Sequence, residues 1–188
     1  MDILAPAIKL TVFLLASLVI AILSRKSLKA PKSHGFFRFF AWETILALFL
    51  LNLDVWFVQP FSWHQLISWP LLIASAFLVI HGVLLLKQIG KPKAQSAADV
   101  RFDFEKTTML VTTGVYGYIR HPLYSSLLLL AWGIYFKQPG WLSSILVAAS
   151  MIFLILTAKA EERENIGFFG PVYQEYMTQT KMFIPFVF

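Results

Sequence analysis

Two short segments hold most of the side chains with chemistry to offer. Residues 112–124 read TTGVYGYIRHPLY and gather Tyr116, Tyr118, Arg120, His121 and Tyr124. Residues 161–176 add Glu161, Glu162, Arg163, Glu164, Asn165, Tyr173 and Tyr176. Gly114 and Gly117 permit positive φ or a close backbone approach to a ligand. Pro122 suits the first turn of a helix, where its missing N–H is not needed, and the other amides of such a turn can receive a carboxylate. The ionisable run 161–164 has two readings, a solvated helix end or one wall of a site. Carboxylates at a helix C-terminus oppose the helix dipole. The second reading therefore calls for a cation nearby, whether Arg120, Lys159 or a positively charged ligand.

Other chemistries lack their signatures. There is no cysteine, so neither a disulfide framework nor a thiolate ligand or nucleophile is available. His34, His64, His81 and His121 are far apart and make no HxxxH or HExxH spacing, so no metal site is expected. Ser125 and Ser126 lack a GxSxG elbow, and neither a GxGxxG nor a P-loop pattern occurs. The net charge is +6, but the basic residues flank apolar runs and form no nucleic-acid stripe.

The elements that must position these residues belong in a membrane. Apolar residues make up 58% of the 188, against about 45–50% in a soluble domain. A spanning helix needs roughly 20 mostly apolar residues. Residues 4–23, 36–58 and 66–86 supply three such runs. The first has no preceding basic residues and no small-residue cleavage site, so it reads as an anchor and not a signal peptide. Lys9 can snorkel from it. Glu43 and Asp54 lie in or near the second run. They are either functional intramembrane carboxylates, or Glu43 is hydrogen-bonded to another helix and Asp54 is interfacial. His81, near the end of the third run, reads as interfacial or hydrogen-bonded. Trp63 and Trp69 suit an aromatic belt.

Residues 87–111 are polar and read as a functional loop, with a short strand or surface helix near 100–104. Residues 123–136 are apolar but short. Residues 137–140 (KQPG) form a turn, and 141–158 can span. These two runs read as a helical hairpin whose preceding loop dips into the membrane, which is tolerated only where backbone lines a cavity or is buried in protein. The last helix continues past 158, breaks at Gly170-Pro171 and resumes as a short amphipathic helix. The apolar end, 182–188, is too short to span and lies on the bundle or in the interface.

The fold expected is therefore an all-α integral membrane protein with about five transmembrane helices, the last two a hairpin, in one membrane domain. Residues 1–86 anchor and residues 87–188 form the catalytic half. Basic residues concentrate in the loops after the first span (Arg25, Lys26, Lys29, Lys32) and after the third (Lys87, Lys91, Lys93, Arg101, Lys106, Arg120). The positive-inside rule then puts the N-terminus outside, and the C-terminus and both polar clusters in the cytoplasm.

These clusters carry a family resemblance. Leu110, Val111, Thr112, Gly114, Tyr116, Arg120, His121, Pro122 and Tyr124, followed by Glu161, Glu162, Phe169, Gly170, Tyr173 and Tyr176, resemble the isoprenylcysteine carboxyl methyltransferase family and related membrane phospholipid methyltransferases. The resemblance covers 110–185. It implies S-adenosylmethionine as methyl donor, and a lipid-like or prenylated acceptor entering from the bilayer, with no nucleic-acid partner. It implies that Leu110, Val111, Thr112, Gly114, Tyr116, His121, Pro122, Tyr124, Glu161, Glu162, Tyr173 and Tyr176 hold the donor. Arg120, Glu162 and Arg163 are then the catalytic candidates, the two arginines orienting the acceptor. Ser125-Ser126, Asn165 and the 106–109 lead-in depart from the family pattern and bear on which acceptor is used.

The residues agree with that chemistry. A sulfonium donor suits a glutamate pair and tyrosine faces. A carboxylate acceptor is ionised near pH 7 and needs no general base, so alignment and exclusion of water would do most of the catalysis. A guanidinium can grip such a carboxylate in a fork. An amine acceptor would need a base, which Glu161, Glu162 or His121 could supply. The leading reading is methylation of an isoprenylcysteine-type carboxylate. The alternatives are a phospholipid amine or small-thiol methyltransferase, an NADPH-dependent sterol or steroid reductase with a similar RHPNY block, and a non-enzymatic scaffold or transporter. Leu123 in place of that Asn disfavours the reductase, and no inverted repeat supports a transporter.

Overall fold

The computed structural model describes residues 6–90 and 109–187, whose regular secondary structure is helical apart from one isolated bridge. Helices α1 (Pro6–Leu23), α2 (Arg25–Leu28), α3 (His34–Leu51), α4 (Trp63–Ile89), α5 (Pro122–Tyr135), α6 (Trp141–Phe169) and α7 (Pro171–Gln179) follow in order. Four of them, α1, α3, α4 and α6, are long and apolar enough to cross a membrane. Their outward faces are apolar, with Leu15, Ile73, Ile80 and Ile145 all exposed. Such surface is stable against hydrocarbon and not against water.

Helix α5 has 14 residues and so extends about 21 Å, short of the roughly 30 Å hydrocarbon core. Its N-terminus follows directly on the motif. Helix α6 is the opposite case. Its 29 residues reach about 43 Å, and its last turns carry Glu161–Asn165 beyond the apolar run.

The core lies where α3, α5 and α6 meet, around Ala41, Ile45, Leu48, Ala131, Ile134, Val147 and Leu154, with Leu72 of α4 packed against it. Small residues let the helices approach, as is usual where lipid supplies no hydrophobic drive between them. A Cβ on Gly133 would stand 2.8 Å from Leu72 Cδ2, so α4 and α5 nearly touch there. Hydroxyls supply the polar ties. Ser68 donates to Gly133 O and Ser75 to Ser126 O, both at 2.7 Å, and Ser150 donates to Thr44 Oγ1 at 2.9 Å.

One expectation changes. The second run does not remain helical to residue 58. It stops at Leu51, where buried Asn52 turns its amide onto Leu48 O at 2.9 Å, and a single 3₁₀ turn, Leu53–Val55, follows. The hydrogen-bonded reading of Glu43 holds, since it accepts from Ser17 of α1, and Asp54 pairs with Lys9 of the same helix. Trp69 is partly buried and lies under a lysine. The Lys137 ammonium, fully buried, sits 3.3 Å from its ring centroid and donates to Gln65 Oε1 at 2.9 Å. Burial pushes that amine down to about 8, while the ring face favours its charged form. His81 stacks on Phe77 with centroids 5.6 Å apart. The strand or surface helix expected near 100–104 falls outside the described residues.

Candidate active site

The motif is built as a tight loop leading into a helix. Gly114–Gly117 form a 3₁₀ turn. Gly114 has φ +60°, a conformation that favours glycine, and a Cβ on it would lie 2.7 Å from Leu85 Cδ1 of α4, whose tip would have to move aside. After this turn the chain pairs with the C-terminal segment. Arg120 N–H donates to Lys181 O at 2.8 Å, His121 N–H to Met182 O at 3.2 Å, and Lys181 N–H to Tyr118 O at 3.1 Å. Pro122 then opens α5 as expected of a first-turn proline. Ser125 fixes that start by donating to Phe183 O at 2.9 Å.

The second cluster arrives on α6 and α7. Gly170, with φ +64°, ends α6 and lets α7 fold back. Tyr176 then donates its hydroxyl to Tyr116 O at 2.6 Å, tying α7 to the 3₁₀ turn. Phe169, Tyr173 and Tyr176 form a ladder of rings with successive centroids 6.3 Å and 5.8 Å apart. Burial raises both tyrosine phenols well above their ordinary range, so they remain protonated.

His121 joins the clusters. Its side chain is 4% exposed, with Nδ1 3.5 Å from Glu161 Oε2 and Nε2 3.4 Å from Glu162 Oε1. The second contact lacks hydrogen-bond alignment, leaving Nε2 buried without an aligned partner. Burial works against its charged form, but the two glutamates outweigh that effect and hold its pKa above the ordinary imidazole value. Tyr124 stacks on the same ring at 5.5 Å and 19°.

A cleft opens here with a free volume of about 80 Å³, below the roughly 300–1,000 Å³ typical of small-molecule sites. Leu110, Val111, Tyr116, Arg120, His121, Pro122, Tyr124, Glu161, Tyr173 and Tyr176 all line it. Four other sequence candidates do not. Thr112 and Gly114 are exposed at the loop, Glu162 stands behind the wall, and Arg163 is exposed on α6. The guanidinium of Arg120 is already engaged. Its Nε donates to Glu162 Oε1 at 2.7 Å, and Nη1 donates to the carbonyls of Met177, at 3.2 Å, and Thr180. Asn165, Phe169, Leu86 and Leu123 also line the cleft. Asn165 was findable, since it falls one helical turn after Glu161 on the same face. Leu86 had no sequence signal beyond its place in an apolar run.

The glutamates of α6 are thus not merely a solvated terminus. The helix runs on to Phe169, so they sit before its negative end, and Glu162 is buried against a guanidinium. Among the described residues no His, Cys, Asp and Glu grouping could hold a metal ion.

Beside the cleft, across Ile119, Ser125 and Phe183, lies a second cavity of about 410 Å³. Its walls are almost wholly apolar, with Leu128, Trp132 and Met151 prominent.

Comparison with known sequences gives a consistent set of relatives. The sequence model of the phospholipid methyltransferase family matches residues 69–175. A methanethiol S-methyltransferase of Crocosphaera subtropica is 29% identical over 126 residues, covering 64% of this chain and 44% of the relative. The methanethiol S-methyltransferase of Pseudomonas deceptionensis is 24% identical over 153 residues, covering 78% and 53%. The protein-S-isoprenylcysteine O-methyltransferase of Schizosaccharomyces pombe is 30% identical over 113 residues, covering 56% and 48%. The chain spans about half the length of these curated relatives or less. No solved structure matches it with significance.

Proposed function

The chain belongs to the phospholipid methyltransferase family of membrane enzymes, and from that premise we propose that it transfers a methyl group from S-adenosylmethionine to an acceptor with an apolar chain, an isoprenylcysteine-type carboxylate. The observation that carries this reading is the juxtaposition of two unlike cavities. A polar cleft walled by His121, Glu161 and tyrosines adjoins an apolar cavity at Ile119, Ser125 and Phe183. The first suits a cationic, aromatic cofactor and the second a hydrocarbon chain. The reductase and scaffold readings give way to the family assignment.

The residues present fit the donor. When bound, S-adenosylmethionine would supply an electrophilic methyl group on a sulfonium. Glu161 gives the cleft a carboxylate, and Tyr124, Phe169 and Tyr173 give it ring faces that attract a cation. The N-terminus of α5, at Pro122 and Leu123, lies in the wall and favours an anionic group such as a carboxylate. His121 Nε2, buried without an aligned partner, can donate to a polar ligand atom. An ionised carboxylate acceptor needs no base. The protein's part is then to orient the reactants and keep water out.

One observation favours a second reading, a small-thiol acceptor. Arg120 is committed to protein groups and Arg163 is exposed outside the cleft, so neither guanidinium stands ready to grip a carboxylate. A thiol needs no such grip, only a group to take its proton, and Glu161 is in the wall.

The proposed orientation places the cleft on the cytoplasmic side. Arg25, Lys26, Lys29 and Lys32 are exposed at the end of α1, and the bond between His34 and Glu164 brings that end level with the site. Two experiments test the function. Calorimetry compares S-adenosylhomocysteine with NADPH, and absence of S-adenosylhomocysteine binding would sink the methyltransferase reading. Labelled methyl transfer to farnesylcysteine, methanethiol and phosphatidylethanolamine then separates the acceptors. Transfer to methanethiol alone would replace the carboxylate reading by the thiol one.

A further inference from the structure

Residues before 69 lie outside the family match, yet they reach the site helix. His34 opens α3, and its side chain is fully buried. Both oxygens of Glu164 on α6 bind it. Oε1 accepts the backbone N–H at 3.0 Å, and Oε2 lies 2.6 Å from ring Nδ1. Glu164 thereby caps the N-terminus of α3, where amides lack intrahelical partners and the dipole favours an anion. Ser33 serves another amide, its hydroxyl accepting from Phe36 N–H at 3.3 Å.

Glu164 comes three residues after Glu161 and just before Asn165, two α6 residues of the cleft wall. Residues three and four apart share a helix face. Fixing Glu164 therefore fixes the rotation of α6 at the level where Glu161 meets His121. The other charges around His34 are Glu161 on α6 and Arg38 on its own helix. Ring Nε2 is buried with no hydrogen-bond partner among the described residues. A buried ring nitrogen without a partner is unfavourable, so packing alone does not account for an imidazole here. The bond from Nδ1 does.

We propose that His34 is a positioning residue of the methyl-transfer site. Acting through Glu164, it sets the rotation of α6 that presents Glu161 and Asn165 to the cleft. Its effect on donor affinity rests on the cleft being the donor site, whereas its effect on α6 does not.

The chain has no cysteine, so Asn165→Cys places a single reporter in the cleft wall. The full chain in detergent is labelled with a water-soluble maleimide in three backgrounds: His34, His34→Leu and His34→Asn. Leucine fills the space without the bond. Asparagine places an amide where Nδ1 stands and keeps the bond without the imidazole. The labelling rate should change at least about threefold with leucine and return with asparagine, as local exposure follows the tie. In parallel, without the cysteine, S-adenosylhomocysteine affinity should fall roughly tenfold with leucine and recover with asparagine, the scale of one charge-assisted hydrogen bond. A labelling rate unmoved by leucine, or moved and not restored by asparagine, overturns the proposal. Should His34→Leu fail to fold, Glu164→Ala, at a position 38% exposed, removes the bond from the other partner and carries the test with the expectation given for leucine. Labelling that behaves as expected in a chain that does not bind S-adenosylhomocysteine supports the positioning of α6 and removes the donor assignment instead.

Discussion

Replacing Glu162 by alanine should strip Arg120 of the carboxylate it pairs with among the described residues. Both side chains are 9% exposed, and Nε stands 2.7 Å from Oε1. Truncating one member of a buried ion pair leaves a charge without compensation, at about 3–5 kcal/mol. Arg120 retains the carbonyls of Met177 and Thr180, so the lower end, about 3 kcal/mol, is expected. In a chain of 188 residues this is a fall in Tm of about 6–12 °C. The loss should be local in origin. Arg120 connects α6 to the end of α7, so α7 and the ring of Tyr173 loosen, and S-adenosylhomocysteine affinity falls with stability. The decisive measurement is the double variant. Arg120→Met with Glu162→Leu removes both charges and should be less destabilised than Glu162→Ala alone, because no charge is then left buried. Thermal unfolding in detergent, with and without S-adenosylhomocysteine, reads the parent, Glu162→Ala, the single variants Arg120→Met and Glu162→Leu, and their double. A Glu162→Ala protein that melts within about 2 °C of the parent, or a double variant that merely sums the single losses, would refute the assignment of this pair as the joint between the two halves of the site.

Gly114→Ala should lower stability by about 1–3 kcal/mol, since φ is +60° and the new methyl would meet Leu85; chemical or thermal denaturation reads it, and a neutral outcome would contradict the loop geometry. The His121 pKa is raised, so its contribution to stability is fully present below the unfolded value of about 6.5 and is lost as pH rises through the higher folded value. Tm should therefore decline on going from pH 6 to 9, and His121→Asn should flatten that slope. Lys137→Met keeps the volume but loses the ring and Gln65 contacts, so Tm should fall by a few degrees, reflecting about 1–3 kcal/mol. Because Lys137 is on the turn at the other end of α5, S-adenosylhomocysteine affinity should hold, and a parallel loss of affinity would contradict that separation.

Much of the site was readable because its residues cluster along the chain. RHPLY and the Glu161–Glu162 pair advertise their chemistry by residue type, and glycine and proline mark the turn and the helix start. What could not be read was the use each charge is put to. Arg120 looked available for an acceptor. It is instead occupied by a carboxylate and two carbonyls from helices reached only through the fold. Arg163 sits next to Glu162 in sequence, but the helical rotation of about 100° per residue turns it outward. The N-terminal helices looked like anchors, and nothing near His34 in sequence indicated Glu164, 130 positions away.

By itself the sequence determined that this chain lives in a membrane as helices, where α5 starts and stops, and which two segments carry ionisable groups beside tyrosines. These follow from hydrophobic run length, from the special backbone needs of glycine and proline, and from side-chain chemistry, all of which are local. The tertiary structure alone decided that His121 sits between two glutamates, that Arg120 is already paired, and that an apolar cavity lies beside the polar cleft. Those outcomes depend on distances between segments that are remote along the chain, and only helix packing sets such distances.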